Sequence, residues 1–142
     1  MIRKLAISVA ATAFALTATP AFSQEEPEQP RTTYRIEYLK LKPGKEDRWV
    51  EMGEKYWGPA TDKAGLPQPQ IHWMMAGPWD IMLVMEMPSG LAALDSHNPK
   101  ERVAFRKAFI EVAGGEEEAK KLWAEDAELV TNTMVTYSHT HP

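Results

Sequence analysis

Between Gln70 and Met87 the chain reads Gln-Ile-His-Trp-Met-Met-Ala-Gly-Pro-Trp-Asp-Ile-Met-Leu-Val-Met-Glu-Met. Two runs of strand composition flank an Ala-Gly-Pro-Trp turn, which predicts a β-hairpin with strands over about 70–76 and 79–87. Side chains alternate between the faces of a strand, so each run divides into two sets. Ile71, Trp73 and Met75 oppose His72 and Met74 in the first run; Ile81, Leu83, Met85 and Met87 oppose Met82, Val84 and Glu86 in the second. Both sets are largely apolar. Such a hairpin needs cover on both faces, so it is expected to supply the two inner strands of a sheet and to wall a pocket.

The segments around it supply the rest of the sheet and its helices. Tyr34, Ile36 and Tyr38 alternate with Arg35 and Glu37, a period of two that marks a strand closed by Lys42-Pro43-Gly44. Over 45–64, Trp49, Met52, Gly53, Tyr56, Ala60 and Ala64 recur at spacings of three and four, the period of an amphipathic helix. Gly65 ends it, Pro67 and Pro69 prevent its continuation, and Gly58-Pro59 is expected to kink or split it. After the hairpin come a short helical turn over 91–96 and a helix begun by Asn98-Pro99-Lys100-Glu101, read as N-cap, N1 proline and N3 glutamate. Val103, Phe105, Phe109, Ile110 and Val112 are its apolar residues, and Gly114-Gly115 stops it. A last helix over 116–128 has acids in its first turn and a predicted buried stripe of Ala119, Leu122, Trp123 and Ala127. The β-branched segment from Leu129 reads as a final strand.

The order is therefore βαββαβ: an α+β, ferredoxin-like antiparallel sheet with helices on one face. The hairpin's second apolar face would then be wet in a monomer, and a homodimer through the open sheet face is the economical solution.

Upstream, Met-Ile-Arg-Lys precedes an apolar run to Leu16 and then Pro20-Ala21-Phe22-Ser23. That is the pattern of a cleavable bacterial secretory signal, residues 1–23, with cleavage after Ser23 and Ala21 as the alternative. A membrane span needs about 20 continuous apolar residues; this run is shorter and is interrupted by Thr17, Thr19 and Pro20. The expected location is periplasmic or secreted, with no membrane anchor, since there is no cysteine for a lipid. Residues 24–31, acidic and proline-containing, read as a disordered leader, and 32–142 as a single domain. The formal charge of −4 becomes −6 once Arg3 and Lys4 are removed, leaving 14 basic against 20 acidic residues. Nucleic acid as a partner wants a basic stripe instead. Without cysteine, stability must come from packing and association rather than disulfides.

Two motifs carry a family likeness. Tyr34-Arg-Ile-Glu-Tyr-Leu-Lys-Leu-Lys-Pro-Gly-Lys-Glu46 resembles the first strand and Pro-Gly helix start of the dimeric α/β-barrel superfamily, and Gly77-Pro-Trp-Asp80-Ile-Met-Leu-Val-Met-Glu86 is similar to its Gly-x-aromatic-Asp strand start. The resemblance implies two ferredoxin-like halves packed sheet to sheet, and activities of the cofactor-independent monooxygenase, isomerase or cyclase kind. The helical region over 91–128 is longer than the single second helix of the smallest members.

The candidate site residues follow from chemistry. His72 lies between Ile71 and Trp73 on a strand expected to be inner, where an imidazole titrating near neutrality can act as acid or base; the alternative is a packed core histidine. Tyr34, Trp57, Trp73 and Trp79 offer flat walls for an apolar or aromatic ligand, in a cavity expected between sheet and helices. Asp80 either orients His72 or holds the turn by accepting backbone N–H groups. Arg35, Glu37 and Lys40 are expected to pair across the sheet. No cofactor is expected. Five hairpin methionines, with His72, and the His139-Thr-His141 pair raise a second class of function, a non-catalytic metal-binding or partner-interaction module. The ligand count falls short of a closed metal site, and the histidine pair sits where the segment is expected to fray.

Overall fold

The computed structural model describes residues 31–141; the expected secretory signal and all but the last residue of the expected leader lie outside the described residues. Strand β1 (Thr33–Leu41) leads into α1 (Glu46–Met52), a π-helical turn (Gly53–Trp57) and α2 (Gly58–Lys63). Next come β2 (Gln70–Trp73), β3 (Ile81–Glu86), a 3₁₀ turn (Gly90–Asp95), α3 (Lys100–Ala113), α4 (Glu116–Leu129) and β4 (Val130–His139). The four strands form one antiparallel sheet in the order β2-β3-β1-β4. This is the expected α+β, ferredoxin-like βαββαβ architecture.

The hairpin is not the middle of the sheet. β3 inserts between β1 and β2, so β1 and β3 are the inner strands and β2 is an edge. The expectation that both hairpin strands are inner is therefore corrected. In a split βαβ unit the hairpin's second strand fills the gap left by the helical crossover, and its first is pushed outward. All four residues of β2 are accordingly exposed.

The predicted helix over 45–64 exists, and helical structure runs on through Gly58-Pro59 without a gap. Pro59 has no N–H to donate. The helix instead widens by one residue, with the Gly58 N–H bonded to the Gly53 carbonyl, five residues back. A Cβ on Gly58 would stand 3.2 Å from that same oxygen. Alanine in place of helical glycine normally gains about 1 kcal/mol. Here the contact, at about 1–3 kcal/mol, should more than cancel the gain, so Gly58→Ala is expected to lose about 1 kcal/mol in urea unfolding. A more stable variant would contradict this.

Two details of the later helices depart from their sequence patterns. Pro99, not Asn98, occupies the N-cap of α3, without a side-chain cap bond. Glu101 instead accepts from the Ser89 hydroxyl at 2.5 Å, tying the helix start to the preceding turn. Val103 is 54% exposed and leaves the core. In α4 the buried stripe runs Ala119, Leu122, Leu129, with Asp126 at the intervening position; Ala127 is exposed. The spacing of three, four and three puts a carboxylate where the pattern asks for an apolar side chain.

Two buried clusters result. The helices pack largely against one another through Met52, Ala60, Ala108, Phe109, Ala119, Leu122 and Leu129. A smaller cluster of Leu39, Leu41 and Ile81 seats one end of the sheet. Trp49 of α1 touches both.

Candidate functional site

Strand register sorts every sheet side chain onto one of two faces, because partners across a ladder point the same way. Leu39 and Leu41 face the helices, as does Ile81, the partner of Leu39. By alternation Arg35 and Glu37 face the helices too. Tyr34, Ile36 and Tyr38 face away, together with Met82 and Val84 of β3, His72 of β2, and Met134 and Thr136 of β4. Over 34–38 the inner strand thus reverses the usual arrangement, with the charged pair Arg35 and Glu37 under the helices and Tyr34, Ile36 and Tyr38 on the open face, while Leu39 and Leu41 keep the usual one.

Beneath the helices, beyond Leu39, Leu83 still packs against the smaller cluster, and Arg35 and Glu37 belong to neither buried cluster. Arg35 Nη1 bonds Glu37 Oε2 at 2.5 Å and lies 3.8 Å from the Met85 sulfur. On the strand next to them, Val135 and Tyr137 are 40% and 41% exposed, so the helices leave this end of the sheet uncovered. From the opposite layer Asp126 approaches. Its carboxylate makes no hydrogen bond or ion pair with any described residue, and the residue is half-buried. Burial, followed by the negative charges of Glu37 and Glu125, raises its pKa from 3.8 to about 6. Arg35 is already occupied by Glu37. Likewise Arg48 of α1 holds Glu125 through two bonds of 2.7 and 2.8 Å and takes Glu51 at 2.7 Å. Asp126 is left as the uncompensated carboxylate of the interlayer space.

The residues singled out from the sequence are divided by the sheet. His72 is exposed on the open face of the edge strand rather than inside. Tyr34 shares that face, as does Tyr38, whose ring lies 6.1 Å from that of Trp79. Trp73 is on the other face, edge-on to Trp49 at 6.1 Å. Trp57 is packed in the helical core, 4.7 Å from Phe109. Tyr34, His72 and Trp79 therefore gather on one side, and Trp57 and Trp73 on the other. Asp80 takes the turn-holding alternative: its carboxylate accepts the Leu41 N–H at 2.8 Å and the Lys40 ammonium at 2.7 Å, which lower its pKa. Lys40 thus pairs with a loop residue, and Arg35 with Glu37 along one strand, rather than across the ladder. A shallow groove of about 350 Å³ between α3 and α4, lined by Arg102, Phe105, Arg106 and Trp123, is an open surface feature and lies away from these residues.

No family model and no curated protein matches the sequence. Solved structures do. A NIPSNAP family protein of unknown function from Agrobacterium tumefaciens aligns with a TM-score of 0.52 at 14% identity, over 78% of this chain and 88% of its own. A second NIPSNAP family protein from the same organism aligns with a TM-score of 0.55 at 10% identity, over 81% of this chain and 90% of its own. The likeness is one of fold. It agrees with the ferredoxin-like topology read from the strand order and carries no activity with it.

Asp126 and Glu37 went unread as site residues because each looks ordinary in its own segment. Glu37 is one charge in an alternating strand, and Asp126 one acid among several in an acidic helix. The available signal was the spacing of Asp126 from Ala119, Leu122 and Leu129.

Proposed function

We propose that this protein is an exported homodimer, closed sheet against sheet, that binds a small apolar or aromatic compound in the interlayer space of each subunit. The observation that carries the reading is the reversed inner strand. Tyr34, Ile36 and Tyr38 on the open face suit a second copy of the sheet, while Arg35, Glu37 and Asp126 supply the few convergent polar groups of a ligand pocket. Export rests on the signal pattern over 1–23. Among the described residues no helix is long and apolar enough to cross a membrane.

In this reading the titratable group facing the ligand is Asp126, and a pKa near neutrality fits a proton acceptor in any cofactor-independent transformation. His72, Tyr34 and Trp79 belong to the sheet-to-sheet interface. Native mass spectrometry of the purified protein tests the proposal directly. The expected spectrum is a two-chain species carrying a small apolar molecule, retained by the parent and lost or reduced in Asp126→Asn. A ligand-free monomer under all conditions would overturn it.

Asp126 also sets a pH dependence. A carboxyl whose folded pKa is raised contributes its stability below the unfolded value, near 3.8, and loses it as pH rises through about 6. A shift of roughly two units corresponds to about 3 kcal/mol at most; solvent screening of this half-buried group reduces that to about 1–2 kcal/mol. Asp126→Asn should therefore gain about that much over the parent at pH 7 and almost nothing near pH 3. Urea unfolding at the two pH values measures the difference. A gain equal at both would remove the electrostatic account.

A further inference from the structure

The end of β4 presents a second chemistry, separate from the interlayer space and independent of the ligand proposed there. We infer that His139 and His141 form an open two-imidazole chelate for a divalent transition-metal ion, with copper(II) as the preferred occupant.

Residues two apart on an extended chain point to the same side. Here that places the two rings with centroids 4.8 Å apart and their Nε2 atoms 3.2 Å apart. Imidazole nitrogens bind such ions at about 2.0–2.1 Å. Two nitrogens at that radius and this separation subtend about 105° at the ion, between the cis angle of a tetragonal site and the tetrahedral angle. The pair thus needs little rearrangement to close on one ion.

The backbone beneath the rings is held as well. His139 pairs with Thr33 in the β1–β4 ladder, and the Thr140 N–H donates to the Thr32 carbonyl at 3.1 Å. Ladder bonding therefore continues past His139 where fraying was expected. Arg31 Nη1 stands 3.0 Å from His139 Nε2. A guanidinium donates and cannot accept, so the nitrogen it faces is the unprotonated one, which carries the lone pair that a metal takes. The same guanidinium opposes every divalent cation alike, so the choice among ions falls to the imidazole donors and favours the strongest-binding one. Among divalent first-row ions that is copper(II), ahead of zinc(II). No group of three or more His, Cys, Asp or Glu ligands converges among the described residues. Water would complete the coordination, so the site is exchangeable rather than structural.

Copper sulfate titrated into the untagged full chain, in a non-coordinating buffer and followed by calorimetry and electron paramagnetic resonance, tests this. The expected result is one saturable copper(II) per chain with hyperfine coupling to two imidazole nitrogens. His139→Ala and His141→Ala should each weaken binding about ten-fold or more, and the double variant should abolish the two-nitrogen signal. The control variant His97→Ala should bind as the parent does. Absence of saturable one-to-one binding, or a signal unchanged in the His139/His141 double variant, would overturn the inference. Both rings are exposed, so circular dichroism should show each variant folded.

Discussion

Phe109→Ala is expected to lower the free energy of unfolding by about 3–5 kcal/mol, the largest single loss of stability in this chain. Phe109 is 0% exposed and is among the largest fully buried side chains. Its ring lies 4.7 Å from Trp57 edge-on, 5.0 Å from Trp123 in a stack and 5.9 Å from Phe105. It therefore joins the π-helical turn, α3 and α4 at one point. Alanine would leave a cavity between rigid rings that have little freedom to collapse into it, which places the cost toward the upper part of that range. A domain of this size has about 5–15 kcal/mol to lose, so the variant should be marginal at 37 °C. Urea denaturation followed by tryptophan fluorescence measures the difference. Phe109→Leu, which keeps most of the volume, should cost clearly less. A loss below about 1 kcal/mol for alanine would mean that the helical core does not depend on this ring.

Ile36→Glu should convert the proposed homodimer to a monomer while leaving the subunit folded. Ile36 sits on the inner strand of the open face, with Val84 on one side and Thr136 on the other. In a sheet-to-sheet dimer a carboxylate there would be buried without a partner, at a cost of about 3–5 kcal/mol per site. Every 1.4 kcal/mol is about ten-fold in affinity, so association should weaken by at least about a hundred-fold. In the isolated subunit the same position is only half-buried, and a surface substitution usually changes stability by about 0.5 kcal/mol or less. Light scattering at micromolar concentration should give a two-chain mass for the parent and a one-chain mass for the variant, with matching circular dichroism. A monomeric parent would end the dimer proposal, and a dimeric variant would move its interface off this face.

The parts of the fold that came through from the sequence are those governed by local rules. The alternation of Tyr34 to Tyr38, the three-and-four spacing from Trp49 to Ala64, and the Gly114-Gly115 stop each reflect steric and hydrogen-bonding limits on neighbouring residues. Gly114 shows this directly, holding a left-handed φ of 88° at the end of α3. The π-helical turn was less legible, because a proline inside a helix has two outcomes, a break or a widened turn, and neighbouring residues alone do not choose between them. At the candidate site the chemistry was legible and its grouping was not. Five side chains that looked like one aromatic pocket are parted by the sheet, since sidedness depends on register with other strands.

Amino-acid order alone determined the βαββαβ succession, the two-sided apolar hairpin and the acid-base or metal-binding potential of individual residues, because these depend on contacts within a few positions of the chain. Tertiary structure alone decided that β2 lies at the edge and that Arg35 and Glu37 face inward. It also left Asp126 without a partner beneath the helices and brought His139 and His141 within chelating distance. Each of those depends on which strand pairs with which and on where a helix comes to rest, long-range choices that minimise exposed apolar area and buried charge over the whole molecule at once.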